Sequence, residues 1–280
     1  MMIKKQDIHI RDPFILTDKE NGCYYMYGTT ALRIGDGYNT ETTFAVYKTY
    51  DLENFEDAKI VFDGSKIGFW GKNNYWAPEV HKYNGKYYLF GSFKAEGICR
   101  ATHILVCDTP DGTFVPVSNE PATPNGWECL DGTLYVENGT PYIVFCHEWL
   151  QVKDGEIWAT PLTEDLTAPA GDPFMLFKAS DAPSVTELGE KGSGNYVTDG
   201  PFFYRENDSL KMIWSSFYNG RYVVLSAESD SIRGEWKHNG SLFDFDGGHA
   251  MVFETLEGER MISLHAPNTS DLERPFFFKF

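Results

Sequence analysis

Three aspartates stand at the head of aromatic-rich apolar runs: Asp12 in RDPFIL, Asp131 in LDGTLY and Asp199 in YVTDGPFFY. A histidine, His249, holds the same kind of place in GGHAMVF. Strand interiors disfavour Asp, Gly and Pro, so each carboxylate is either a turn residue or a functional one. Like charges gathered together are costly and drive their pKa values apart. Carboxyls with separated proton affinities can perform glycoside hydrolysis. One protonates the departing oxygen, and another activates water or attacks the sugar. A third can keep the acid protonated and oriented.

The elements that must bring these residues together read as repeats. Five hairpin-like units begin at Asp12, Ala77, Asp131, Asp199 and His249, each with two apolar runs around a polar turn. Further strand-like runs follow the first four, such as TFAVYKTYDLENFEDAKIVF and RYVVLSAESDSIRGEWKHNGSLF. Four strands per unit and five units predict an all-β chain, a five-bladed β-propeller with four-stranded antiparallel blades. A two-sheet sandwich is the competing architecture, but sandwiches do not usually repeat a four-strand unit. Residues 1–280 are read as a single catalytic propeller domain. The first strand of each blade lines the channel, so Asp12, Asp131, Asp199 and His249 are expected at equivalent places around one mouth.

Composition narrows the ligand. The formal net charge is −17, which argues against nucleic acid and anionic membranes as partners. The five cysteines, an odd number without CxxC spacing, suggest neither a disulfide framework nor zinc. MMIKKQDIHIRDPF lacks a signal-peptide apolar core, and a cytoplasmic location is the expectation. Neither a P-loop, a GxGxxG after a strand nor a GxSxG elbow is found. Oligomeric state is not legible.

The chain resembles glycoside hydrolase family 43. The resemblance rests on Arg11-Asp12-Pro13-Phe14-Ile15 with YYMYGTT, on Trp76-Ala77-Pro78-Glu79-Val80 with GKYYLFGSF, on Leu130-Asp131-Gly132-Thr133-Leu134-Tyr135, on TDGPFFYR and on GGHAMVF. It implies a five-bladed propeller and an inverting enzyme. It also implies Asp12 as general base, Asp131 as modulator of the acid's pKa, and the Asp199 position as general acid. The family usually has glutamate there, in Glu-Gly-Pro. Aspartate sets the carboxyl roughly 1.5 Å back, and a 1 Å misplacement can cost about a hundredfold in rate.

The acid therefore has rivals. With the turn of YVENGTPY centred on Asn138-Gly139, Asp131 is expected to face Cys146, with Glu148 just beyond at the same mouth. Glu128, in Trp127-Glu128-Cys129, is another candidate. Its triplet is similar to the Glu-Cys acid motif of family 32 fructosidases, although that family's asparagine-rich nucleophile motif is missing.

For substrate binding the candidates are Trp76, Trp70, Glu79, Glu148 and His249. Trp70 is the rim candidate for stacking on a sugar, and Trp76 reads more readily as core. Glu79 could bond a sugar hydroxyl. The resemblance implies that His249 holds a water or helps place a structural calcium ion near the axis, with no cofactor otherwise required. The expected function is an inverting, exo-acting α-L-arabinofuranosidase or β-D-xylosidase on short oligosaccharides. A weak or inactive sugar-binding propeller and a family 32-like β-fructosidase are the alternatives.

Overall fold

The computed structural model describes residues 2–29, 33–34, 37–38 and 42–280, with the backbone alone for 33–34 and 37–38. Thr30, which ends the YYMYGTT motif, lies outside the described residues. Five antiparallel sheets succeed one another along the chain, beginning with strands Arg11–Asp18, Asn73–Tyr83, Cys129–Glu137, Asp199–Glu206 and Gly248–Glu254. Each of these strands touches the corresponding strands of the blades before and after it, and the last touches the first. The result is a closed five-bladed β-propeller, as the repeats predict. Its apolar cores lie between neighbouring blades. One joins Leu130, Val144 and Ile157 of blade 3 to Met212, Trp214 and Leu225 of blade 4.

Tight turns set the hairpins. Asn84-Gly85, Asn138-Gly139 and Asn219-Gly220 all have positive φ at both residues, the two-residue turn that matches strand twist. Blades 2, 3 and 4 have four strands each. Blade 5 has three among the described residues: Gly248–Glu254, Arg260–Ala266 and Arg274–Lys279. The expected fourth strand is not supplied by the N-terminal segment, because Met2–Lys4 pairs with Asn54–Glu56 of blade 1. Blades 5 and 1 are instead joined by individual bonds. The Ile10 N–H donates to the Glu273 carbonyl, Ser263 Oγ to the Pro13 carbonyl, and Arg11 to the Glu273 carboxylate at 2.8 Å.

Every inner strand carries the same irregularity. Pairing jumps from Arg11↔Thr29 to Phe14↔Tyr27, from Trp76↔Ser92 to Glu79↔Phe90, and from Leu130↔Cys146 to Thr133↔Val144. It jumps likewise from Asp199↔Ser215 to Phe202↔Ile213, and from Gly248↔His265 to Met251↔Ser263. Two residues oppose one in each case, which is a β-bulge. The first residue of each bulge has positive φ: Asp12 54°, Ala77 44°, Asp131 56°, Gly200 51° and His249 53°. Asp199 is therefore not equivalent to Asp12, Asp131 and His249. It stands one residue earlier, in the position of Arg11, Trp76, Leu130 and Gly248. For the same reason Cys146 faces Leu130 rather than Asp131.

A bulge leaves a ladder N–H without its strand partner, and a buried N–H needs one. The preceding blade supplies it. Ala77 N–H donates to Thr29 Oγ1, Asp131 N–H to Ser92 Oγ, His249 N–H to Ser215 Oγ and Asp12 N–H to His265 Nδ1, at 2.7–3.1 Å. Thr29, Ser92, Ser215 and His265 hold one register position on the second strands. In blade 3 that position is Cys146. The Gly200 N–H there goes to Asp131 Oδ2 instead, at 3.0 Å.

Gly200 is constrained twice. Its φ favours glycine, and a Cβ would fall 2.8 Å from the His249 ring. A left-handed L-residue costs about 1–2 kcal/mol, and overpacking costs about 1–3 kcal/mol more. Gly200→Ala is expected to lower stability by about 2–5 kcal/mol, measured by denaturant unfolding. An unchanged midpoint would contradict the constraint.

Candidate active site

The bulge residues Asp12, Asp131 and His249 aim their side chains into one pocket of about 380 Å³ at the channel mouth. Asp12, Asp131, Asp199, Glu148, His249 and Trp76 all line it, joined by Arg11, Thr29, Trp149 and Tyr222. Sequence residues separated by more than half the chain thus meet around one axis.

Asp12 is buried and held from three sides. Thr29 Oγ1 donates to its Oδ2 at 2.7 Å, and His249 Nδ1 lies 3.2 Å from its Oδ1. Burial alone would raise its pKa. His249, His265 and Arg11, with the Thr29 hydroxyl, outweigh burial and hold it below the usual carboxylate range. His265 Nδ1 also lies 3.4 Å from Asp12 Oδ1. That approach is not an ion pair at neutral pH, because burial pushes His265 down to about 4. The neutral ring accepts the Asp12 N–H at Nδ1 and donates from Nε2 to Asn268 Oδ1 at 3.2 Å.

Asp131 and Asp199 shift the opposite way. Burial drives Asp131 up to about 8, against the pull of His249, and Asp199 and Asp12 push it further. Burial likewise raises Asp199 to about 6, against His249 and the Tyr222 hydroxyl, while Asp12 and Glu148 add to the rise. Tyr222 donates to Asp199 Oδ2 at 3.0 Å. Gly248 lets that ring approach, since a Cβ there would lie 2.4 Å from it. His249 Nδ1 stands 3.7 Å from Asp131 Oδ2. Burial opposes its charge, but Asp12, Asp131, Glu79 and Asp199 together raise its pKa. One wall of the pocket thus favours an ionised carboxylate, and the other favours carboxyls that retain a proton.

The rival acids are placed differently. Glu148 lies in the pocket, buried, with Arg100 Nε at 3.4 Å from its Oε2. Arg100 is itself buried and stacks on Trp76, 3.9 Å from the ring centroid. Glu128 is outside the pocket. Lys94 Nζ contacts both its oxygens at 2.8 Å, and the Arg100 N–H donates to Oε2. Burial would raise Glu128, but Lys94 and the Arg100 N–H prevail and hold it low, which does not suit a proton donor.

The two tryptophans are placed apart. Trp76 takes the bulge-flanking position and lines the pocket. Trp70 does not reach it. Its Nε1 donates to His103 Nδ1 at 3.1 Å, beside a separate cleft. Glu79 is also absent from the pocket. Lying two residues beyond the bulge residue Ala77, it is buried, 3.0 Å from His81 Nε2. Calcium takes six to eight oxygens, and among the described residues no three His, Cys, Asp or Glu side chains converge on a possible metal position. A calcium ion beside His249 would therefore take most of its ligands from water.

Tyr222 and Arg100 are the site residues that motif reading misses. Both belong to third strands, Arg221–Ser229 and Ile98–Cys107, where no local pattern marks the channel end. Trp149 follows Glu148 directly in HEW, and that adjacency was the available signal.

Comparison with known proteins gives this geometry a family. The sequence pattern of glycosyl hydrolases family 43 matches residues 7–277. The chain belongs to glycosyl hydrolases family 43. Members of family 43 hydrolyse glycosidic bonds with inversion. The solved structure of an endo-arabinase from Bacteroides thetaiotaomicron is 43% identical, with a TM-score of 0.90 over 99% of this chain and 96% of that one. The extracellular endo-α-(1→5)-L-arabinanase 1 of Bacillus subtilis is 25% identical over 63% of this chain and 55% of its own length. A probable arabinan endo-1,5-α-L-arabinosidase C of Aspergillus niger is 22% identical over 79% of this chain and 64% of its own length. The chain thus spans a little over half the length of the curated relatives it matches. An α-L-arabinofuranosidase from Lactobacillus brevis shares the fold, with a TM-score of 0.77 at 17% identity over 99% of this chain and 94% of that one.

The Tyr222 contact yields a pH test. Its hydroxyl stabilises the ionised form of Asp199, so removing it raises the Asp199 pKa. If activity requires protonated Asp199, it is lost as pH rises through that pKa. Tyr222→Phe should therefore move the alkaline limb of kcat/KM to higher pH, by about one unit for a lost charge-assisted hydrogen bond. A limb that stays in place would remove Tyr222 from this role.

Proposed function

We propose that this family 43 chain hydrolyses α-L-arabinofuranosidic linkages of arabinan and its oligosaccharides. Asp12 serves as general base, Asp131 as modulator and Asp199 as general acid. The observation that carries this reading is the opposed proton affinity around one pocket: Asp12 held low, Asp131 and Asp199 raised. Ionised Asp12 takes a proton from water as the water oxygen bonds to the anomeric carbon. The bond from that carbon to the leaving oxygen breaks, and Asp199 gives its proton to that oxygen. The attack and the departure lie on opposite faces, so configuration inverts. Asp131 and Asp199 repel each other's ionised forms, which keeps a proton on the pair.

Asp199 is favoured over Glu148 because the Glu148 carboxyl is already engaged by the Arg100 guanidinium, 3.4 Å away. Glu148 then contacts a sugar hydroxyl, with Trp76 and Trp149 as pocket walls. Arabinan is favoured over xyloside by the names of the 43% identical structure and of the curated relatives. The same names move the proposal from exo to endo cleavage.

The test uses linear arabinan and an arabino-oligosaccharide carrying a 2,4-dinitrophenyl leaving group. Released oligosaccharides with inverted configuration, read by proton NMR, support endo action; arabinose as the first product contradicts it. Asp12→Ala should lower kcat on both substrates by about 10²–10⁴. Asp199→Asn should lose a similar factor on arabinan and little on the activated aryl substrate, whose leaving group needs no proton. If Glu148→Gln shows that split and Asp199→Asn does not, the acid is Glu148.

A further inference from the structure

A second cavity, of about 680 Å³, lies between blades 2 and 3. It is walled by the 119–127 connector and floored by the third strand of blade 3, Glu156–Pro161. None of the aspartates of the active site reaches it. Two indole rings face this cleft, those of Trp70 and Trp127. Both are held in place from behind. Trp70 is tied to His103 by its Nε1–H and leans on Phe93, with centroids 6.1 Å apart. Trp127 stacks on His147 at 4.4 Å and 10°, with Trp158 set edgewise at 4.9 Å.

Thr160 supplies the independent observation. It lines the cleft, is 2% exposed, and its buried hydroxyl has no hydrogen-bond partner. Native interiors seldom leave such a group unpaired, and each case requires an explanation. Asn119 and Asn125 add amide groups to the same walls. Fixed aromatic faces with a few polar groups form a site for a neutral ligand that has apolar faces and hydroxyls.

The cleft also adjoins a shallow depression on the side of Glu128. Ile98 and Cys99 line both this cleft and a depression formed by Asn73, Lys94 and Glu128. The carbonyl of Glu128 in turn accepts the N–H of Glu148, which lines the catalytic pocket. We infer that the cleft between blades 2 and 3 is a second carbohydrate site, which holds part of an arabinan chain away from the bond being cleaved. The choice of arabinan rests on the function proposed above. Trp70 and Trp127 contact sugar faces, and Thr160 bonds a sugar hydroxyl. The site raises the enzyme's hold on polymer without entering the chemical step.

The experiment is electrophoresis of the native protein through gels containing linear arabinan, alongside kinetics on arabinan and on the dinitrophenyl arabino-oligosaccharide. Thr160→Val is nearly isosteric and removes only an unpaired hydroxyl, so the fold should hold. Trp70→Ala removes one ring. The parent should be retarded, and both variants should lose retardation several-fold. Their KM for arabinan should rise at least threefold, with kcat and the short-substrate rate unchanged. Variants retarded as strongly as the parent would overturn the site, as would a parent that cleaves arabinan but is not retarded by it. Retardation that is lost only in Asp12→Ala or Asp199→Asn would assign all binding to the catalytic pocket and overturn it too. Cleft-dependent retardation without cleavage would leave the site standing and defeat the hydrolase reading instead.

Discussion

The structure depends on where five backbone N–H groups find their acceptors. Each inner strand breaks its ladder with a left-handed residue, and each break exposes a donor that a propeller interior cannot leave unpaired. The acceptor always comes from the preceding blade. Thr29, Ser92, Ser215 and His265 serve four of the donors. The same contacts that close the ring turn the bulge side chains toward its axis. Blade assembly and site assembly are one event.

Blade 3 shows why that matters for chemistry. Cys146 occupies the acceptor position there, and a thiol is a weak acceptor. The donor of Gly200 turns to Asp131. That bond fixes the Asp131 carboxylate beside the strand that carries Asp199. A single departure from the repeat thus couples two carboxyls whose proton affinities must be matched.

The hairpin repeats, the Asn-Gly turns and the pocket aspartates were legible because aromatic strands and turn residues leave local patterns. The bulges were not. A bulge adds one residue to a strand, so counting from motif to motif placed Asp199 level with Asp12 when it stands one residue earlier. The same offset put Cys146 opposite the wrong residue. Tyr222 and Arg100 were hidden for another reason. Third strands reach the channel only at one end, and nothing in their sequence marks which end that is. The three-stranded fifth blade could not be read either, because Met2–Lys4 is equally strand-like whichever sheet it joins.

Among the described residues, the ring closes without a strand shared between its first and last blades. Asp12 takes part in that closure, because its own N–H bonds to His265 of blade 5. Arg11, its neighbour, holds Glu273 on the same side. The aspartate with the lowest proton affinity in the pocket therefore sits on the seam of the molecule. Any fluctuation that parts blade 5 from blade 1 removes Asp12 from His265 while leaving blades 2 to 4 paired. Function in this propeller is tied to the joint between its first and last blades, so catalytic competence reports on the closure of the ring rather than on the integrity of its sheets.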